Sequence, residues 1–191
     1  MPIIKIYPSK RPVRGILQYI TRGDTVPEEL IRTNGCDILD AEQEFSDIAR
    51  YYNKPTGAGN RTYYHMIVSY NTTYEKISPE EVRDMVKDLC QRTKIDCYQW
   101  YLAVHTDRPD HMHAHVVINN VSYRGDRKQH VKAGKSFQST GKLRHELMEK
   151  GNVICKEHGY EHSLVNAKSK AQERLTRAEL ALAAKGEISW K

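Results

Sequence analysis

Four of the chain's nine histidines fall between residues 105 and 115, in His105-Thr-Asp107-Arg-Pro-Asp110-His111-Met-His113-Ala-His115. Three neutral imidazoles around one divalent metal leave open positions for a substrate oxygen, the arrangement of a catalytic rather than a structural centre. The run Val116-Val117-Ile118 that follows reads as a strand. Alternate side chains of a strand share a face, so His113 and His115 point together, with Asn119 on the same side. Trp100-Tyr-Leu-Ala-Val104 reads as a partner strand ending on His105,. One stray His-x-His pair is common; three or four histidines at strand spacing, with Asp107 beside them, favour a metal. His111 and His113 also alternate, so the spacing leaves open whether His111 replaces one of His105, His113 and His115.

A metal held this way acts as a Lewis acid on a phosphate oxygen, and the charge pattern supplies a reason to expect phosphate. The net charge is +6. Lys5, Lys10, Arg11, Arg14 and Arg22 occupy the first 22 residues with no acid among them, and Arg124, Arg127, Lys128, Lys132 and Lys135 surround the single acid Asp126. Either cluster alone is usually a solvated face; two of them flanking a metal site in sequence favour nucleic acid. The aromatic balance, 12 tyrosines against two phenylalanines and two tryptophans, suits base stacking as well as half-buried sheet positions. Tyr19, between Arg14 and Arg22, is the candidate nucleophile for a covalent intermediate; a half-buried helix aromatic is its equally ordinary alternative. Without a side-chain nucleophile, the same centre would be a phosphoesterase, but no Gly-rich phosphate loop accompanies it.

The elements that must position these groups follow from periodicity and caps. Ile3–Tyr7 reads as a strand. Val13–Thr21 reads as a helix, with Ile16, Leu17 and Ile20 at helical spacing and Gly23 as its stop. Residues 22–39 read as polar loop. Helices are expected from Asp40 to about Tyr52, from Ser78-Pro79 to about Arg92, and from Thr140 to about His158, with a strand over Arg61–Tyr70 and a mobile basic loop over 123–134. The order β-α-α-β-α-β-β-α-α predicts an α/β (α+β) fold, a two-layer sandwich with a mainly antiparallel sheet. Residues 1–165 form the expected domain. A helix over 167–185 lies in an appendage, 166–191, that leads toward a region absent from this chain. There is no apolar run of membrane-spanning length and no signal-peptide pattern, and Cys36, Cys90, Cys97 and Cys155 are scattered as reduced thiols; together these point to the cytoplasm.

An early tyrosine in Tyr19-Ile-Thr-Arg22-Gly23, with H-x-D-x-x-x-H-x-H-x-H-x-x-x-N over residues 105–119, resembles the mobilisation relaxases. These are the HUH-type nicking enzymes of conjugative plasmids and integrative elements, and their P-type branch is most similar. The likeness spans about residues 3–160 and includes the His65 strand. It implies a ferredoxin-like, palm-like sheet with helices packed on it. It further implies Tyr19 as nucleophile, His105, His113 and His115 as ligands of Mg²⁺ or Mn²⁺, and Asp107 orienting a ligand or accepting a proton. The implied partner is single-stranded or hairpin DNA at a transfer origin, gripped by Arg11, Arg14, Arg22, Arg124, Arg127, Lys128 and Lys132. Accessory transfer proteins would join it there. A rolling-circle replication initiator of the same superfamily and a non-cleaving DNA-binding regulator are the alternatives; initiators more often place the tyrosine after the histidines.

Overall fold

The computed structural model describes residues 3–22, 26–55, 59–70, 72, 76–107 and 112–160. His111, Gly23 and the helix expected over 167–185 lie outside them. Five strands and four helices follow in the order β1 (Ile3–Ser9), α1 (Val13–Thr21), β2 (Ile31–Asn34), α2 (Ala41–Tyr51), β3 (Tyr63–Ser69), α3 (Pro79–Gln91), β4 (Tyr98–His105), β5 (His113–Ser122) and α4 (Gly141–Glu157). The strands form one sheet in the order β1-β3-β5-β4-β2, with every neighbouring pair antiparallel. Among the described residues, no helix is long and apolar enough to cross a membrane.

The mixed α/β class and the antiparallel sheet with helices packed on it are as the sequence indicates. The layering is richer than two, because helices cover both faces. Val82, Met85, Val86 and Leu89 of α3 and Leu143, Leu147 and Ile154 of α4 meet Met66, Val68, Leu102, Val104, Val116 and Ile118 on one face. Val13 and Ile20 of α1 and Ala41 and Phe45 of α2 meet Tyr63, Tyr101, Ala103 and Val117 on the other. All eight residues of β4 are therefore buried, which explains its near-continuous apolar run where a one-sided strand would alternate.

The segment read as polar loop, residues 22–39, is corrected: Ile31–Asn34 is β2, an edge strand paired with Trp100–Ala103. Only Ile31 of its four residues is apolar, too little for a period-2 pattern. Its far end is tied by the Asn34 amide, which donates to the carbonyls of Asp96 (3.2 Å) and Tyr98 (3.1 Å). The basic loop is also more ordered than its composition suggests. Asp126 and Val131 bridge, the Ser122 hydroxyl donates to the Lys132 carbonyl at 2.8 Å, and Val131 is buried.

Antiparallel register places side chains of the α1–α2 face in rows across the strands. The end row is Ile3, Ser69, His113 and His105; the next is Lys5, Ile67, His115 and Ala103; the third is Tyr7, His65, Val117 and Tyr101. The histidines thus gather at one end of the central β4–β5 hairpin.

Candidate metal centre

His105, His113 and His115 each present one ring nitrogen, and the three atoms lie within 4.8 Å of one another. The pairing that sets His105 opposite His113, with His115 in the adjacent row, follows from the β4–β5 register. Ring centroids are 4.4 Å apart for His105 and His115, 4.9 Å for His113 and His115, and 5.2 Å for His105 and His113.

Hydrogen bonds decide which nitrogen of each ring faces the centre. His105 Nε2–H donates to the Ile20 carbonyl of α1 at 2.7 Å, leaving the Nδ1 lone pair as the ligand atom. His115 Nδ1 is 2.8 Å from His65 Nε2. His115 Nε2 is buried without a hydrogen-bond partner among the described residues. A buried, orphaned ring nitrogen beside two others is the mark of a cation position. If His115 coordinates through Nε2, Nδ1–H is the donor and His65 the acceptor. Burial, with His105 and His65 adding to it, pushes His115 down to about 2, and burial pushes His65 down to about 4. Burial also lowers His105. Burial thus keeps His105 and His115 in the neutral form, whose lone pairs a metal needs.

The chain itself leaves His65 open between a supporting or substrate-contacting role and that of an ordinary strand histidine, and it carries no sign of the Ile20 carbonyl. His65 lies 50 residues from His115 and reaches it only because β3 is the neighbour of β5. The Ile20 carbonyl belongs to the last turn of α1, which no residue type reveals.

Tyr19 precedes Ile20, so the bond that fixes His105 also fixes the candidate nucleophile. Its ring centroid lies 5.6 Å from that of His115 and 6.1 Å from that of His105, both edge-on, and the side chain is 57% exposed. It is therefore not the half-buried helix aromatic of the ordinary alternative. Tyr19, Arg22, Ile67, Ser69, Asp107 and the three histidines line an open cleft of about 500 Å³.

Helix α1 ends at Arg22, whose backbone is left-handed at φ 51° and whose N–H returns to the Gln18 and Tyr19 carbonyls. That turn brings the guanidinium to 2.8 Å from Asp107 and 3.4 Å from His105 Nδ1. Asp107, held below the usual carboxylate range by Arg22, thus meets His105 through a guanidinium, while the Ile20 carbonyl takes the ring N–H.

The expected DNA contacts separate into two groups. Arg11 and Arg14 are exposed at the start of α1 and Arg22 stands beside the triad. Arg124, Arg127, Lys128 and Lys132 are exposed beyond the far end of β5, about 30 Å from His113 at strand rise. Arg124 is also paired with Asp96 and lies over the Tyr123 ring. They flank the triad in sequence and not in space.

Three neutral imidazoles suit manganese, cobalt, nickel or zinc better than magnesium, which favours oxygen. An exposed phenol, a guanidinium and a metal position within one cleft make it chemically competent for phosphoryl transfer to tyrosine. Residues 19–160 match the family described as "Relaxase: MobA/VirD2-like, nuclease domain". Two Staphylococcus aureus proteins, each named Protein rlx, are 28% identical over 156 residues and 29% identical over 157. Both alignments cover 82% of this chain but 42% and 44% of the relatives, so the chain spans less than half their length. The fold is similar to a solved structure described as "Molecular Basis of Vancomycin Resistance Transfer in Staphylococcus aureus". Its TM-score is 0.58 at 10% identity, over 87% of this chain and 96% of that one.

Proposed function

Since the chain belongs to the relaxase family of MobA/VirD2-like nuclease domains, we propose that it nicks one DNA strand at a transfer origin by tyrosine transesterification. The observation that carries this reading is Tyr19, exposed and within 5.6 Å, ring to ring, of a metal-ready histidine. Single-stranded or hairpin DNA is the substrate, drawn in by the cations of α1.

The Tyr19 oxygen forms a bond to phosphorus and the P–O3′ bond breaks. The phenol proton is balanced by the one the 3′ hydroxyl gains. The product is a 5′-phosphotyrosyl adduct, in which the phosphodiester's energy is kept for resealing without ATP. A divalent metal on His105, His113 and His115 supplies Lewis-acid charge for the scissile phosphate, with manganese or magnesium as the working ion. Arg22 places a second positive charge on the same phosphate, and Asp107 holds that guanidinium in place. His65 and the Ile20 carbonyl keep the ligand tautomers.

The test is covalent capture on supercoiled DNA carrying the region that flanks this gene, with manganese or with EDTA. An SDS-resistant adduct that requires both metal and Tyr19 is the expected result. Adduct formed by Tyr19→Phe moves the nucleophile elsewhere; tight binding without a nick replaces the enzyme by a non-cleaving regulator.

A further inference from the structure

The end of helix α1 sets two groups on one imidazole. The Ile20 carbonyl takes the His105 Nε2–H at 2.7 Å, and Arg22 reaches the other nitrogen, Nδ1, at 3.4 Å. With Nε2 protonated, Nδ1 carries the ring's lone pair, and a guanidinium has only N–H groups to offer it. Arg22 therefore donates to the lone pair that His105 gives to a metal. A lone pair serves one of them at a time.

Asp107 keeps Arg22 there. Its carboxylate lies 2.8 Å from the guanidinium, and both side chains are half-exposed. A planar group with five N–H donors can face a carboxylate and an imidazole together. The pairing also uses up the negative charge of the site. Among the described residues that line the cleft, only Asp107 is an acid. A divalent ion thus meets three imidazoles and, beside one of their ligand atoms, a cation. Coulomb repulsion adds to the contest for Nδ1.

A phosphodiester changes that balance. Its anionic oxygens are stronger acceptors for a guanidinium than a neutral imidazole is. It also brings the negative charge that the ion finds nowhere else in the cleft. The cleft is open, about 500 Å³ with Tyr19 exposed along it, and leaves room for such a group.

We propose that Arg22 gates metal loading: it competes with the metal for His105 Nδ1 and releases that nitrogen when a phosphate enters the cleft. The proposal rests on the DNA-nicking reading for the phosphate; the competition for Nδ1 stands apart from it. Asp107 is the pivot, holding the guanidinium within reach of the ring and of the phosphate. Metal and phosphate then favour each other's binding by the same factor, as linkage requires. A centre built this way stays poorly loaded until its strand arrives, although its three ligands are already gathered.

Mn²⁺ would be titrated calorimetrically into the protein and into Arg22→Met, whose unbranched side chain has neither charge nor donor. Arg22→Met should bind the ion about tenfold more tightly, the order of a hydrogen bond to a charged group. Equal or weaker binding would overturn the proposal. Because Arg22→Met also frees Asp107, the comparison is repeated with Asp107→Asn in both proteins. The gain should remain; its disappearance would assign the effect to the carboxylate and overturn the competition for Nδ1. Long-range ¹H–¹⁵N spectra taken without metal give a second readout. The Nε2–H tautomer of His105 should persist in Arg22→Met, held by Ile20, while the Nδ1 resonance moves toward that of an unbonded acceptor. An unmoved Nδ1 resonance would show that Arg22 does not donate to it, which also sinks the idea. The last titration uses Tyr19→Phe protein carrying a bound single-stranded oligonucleotide from the region that flanks this gene. There the gain from Arg22→Met should shrink to about twofold, because phosphate has taken the guanidinium. A gain that stays tenfold on bound oligonucleotide overturns the release by phosphate. An oligonucleotide that does not bind counts against the nicking reading alone, and the metal titrations still decide the role of Arg22.

Discussion

His65 has no ligand role in the triad, yet it is the residue on which His115 depends. Its ring, 2.8 Å from His115 Nδ1, selects the nitrogen that faces the centre. Removing such a support costs about 10- to 100-fold in metal affinity. His65→Ala should weaken Mn²⁺ or Co²⁺ binding by that factor in calorimetry while the far-UV circular dichroism is unchanged. Unaltered affinity would show that His115 keeps its tautomer without help. That His113 and His115 share a face was legible because alternation in a strand is a strong local rule. Asp107 illustrates the limit of local rules. The resemblance to relaxases implies that Asp107 orients a ligand histidine or accepts a proton, and it carries no sign of the guanidinium from 85 residues earlier that lies within 2.8 Å of Asp107 and 3.4 Å of His105 Nδ1.

Among the elements, α3 and α4 show how strongly caps fix boundaries. Ser78 accepts from Glu81 N–H at 3.2 Å, and the Glu81 carboxylate accepts from Ser78 N–H at 2.8 Å, a reciprocal box visible in Ser78-Pro-Glu-Glu81. Ser78→Ala should cost about 1 kcal/mol in denaturant unfolding. Glu81 also accepts from the Tyr160 hydroxyl at 2.6 Å, just beyond α4. That bond, and then the Ser78 N–H, hold its carboxyl below the usual range. The folded state therefore favours the ionised form. The resulting stability is complete above the ordinary carboxylate pKa and is lost as pH falls through the lower folded value. The unfolding midpoints of the protein and its Glu81→Gln variant should differ at about pH 6 and converge toward about pH 3. A constant gap across that range would place the effect outside the carboxylate's charge. Helix α1 offers the opposite opportunity. A methyl group on Gly15 meets nothing within 4 Å, so Gly15→Ala should raise stability by about 0.5–1 kcal/mol. Where capping and long apolar stripes speak, the fold is readable from the chain. Where four residues complete a sheet edge, as in Ile31–Asn34, only the partner strand tells.

For the whole molecule, sheet order converts sequence proximity into distance. The ten residues of β5 carry the chain from the triad to the opposite end, taking the Arg124–Lys132 cluster with them. The cations of α1 remain beside the site. Binding of a short single strand ending at the nick position should therefore lose about one unit of salt slope in Arg14→Ala and keep it in Lys128→Ala. Fluorescence anisotropy across a series of salt concentrations measures both. Equal losses would mean that the strand continues past α2 to the distal cluster.

Arg22 occupies a backbone conformation that glycine adopts at no steric cost and that an L-residue with a Cβ adopts at about 1–2 kcal/mol. Its half-exposed pairing with Asp107 returns little, because solvent screens both partners. On folding grounds alone, arginine is a poor occupant of this position. Arg22→Gly should thus produce a protein at least as durable on heating as the parent and much weaker at gripping a phosphate in the cleft. Durability and activity are set against each other at a single backbone angle.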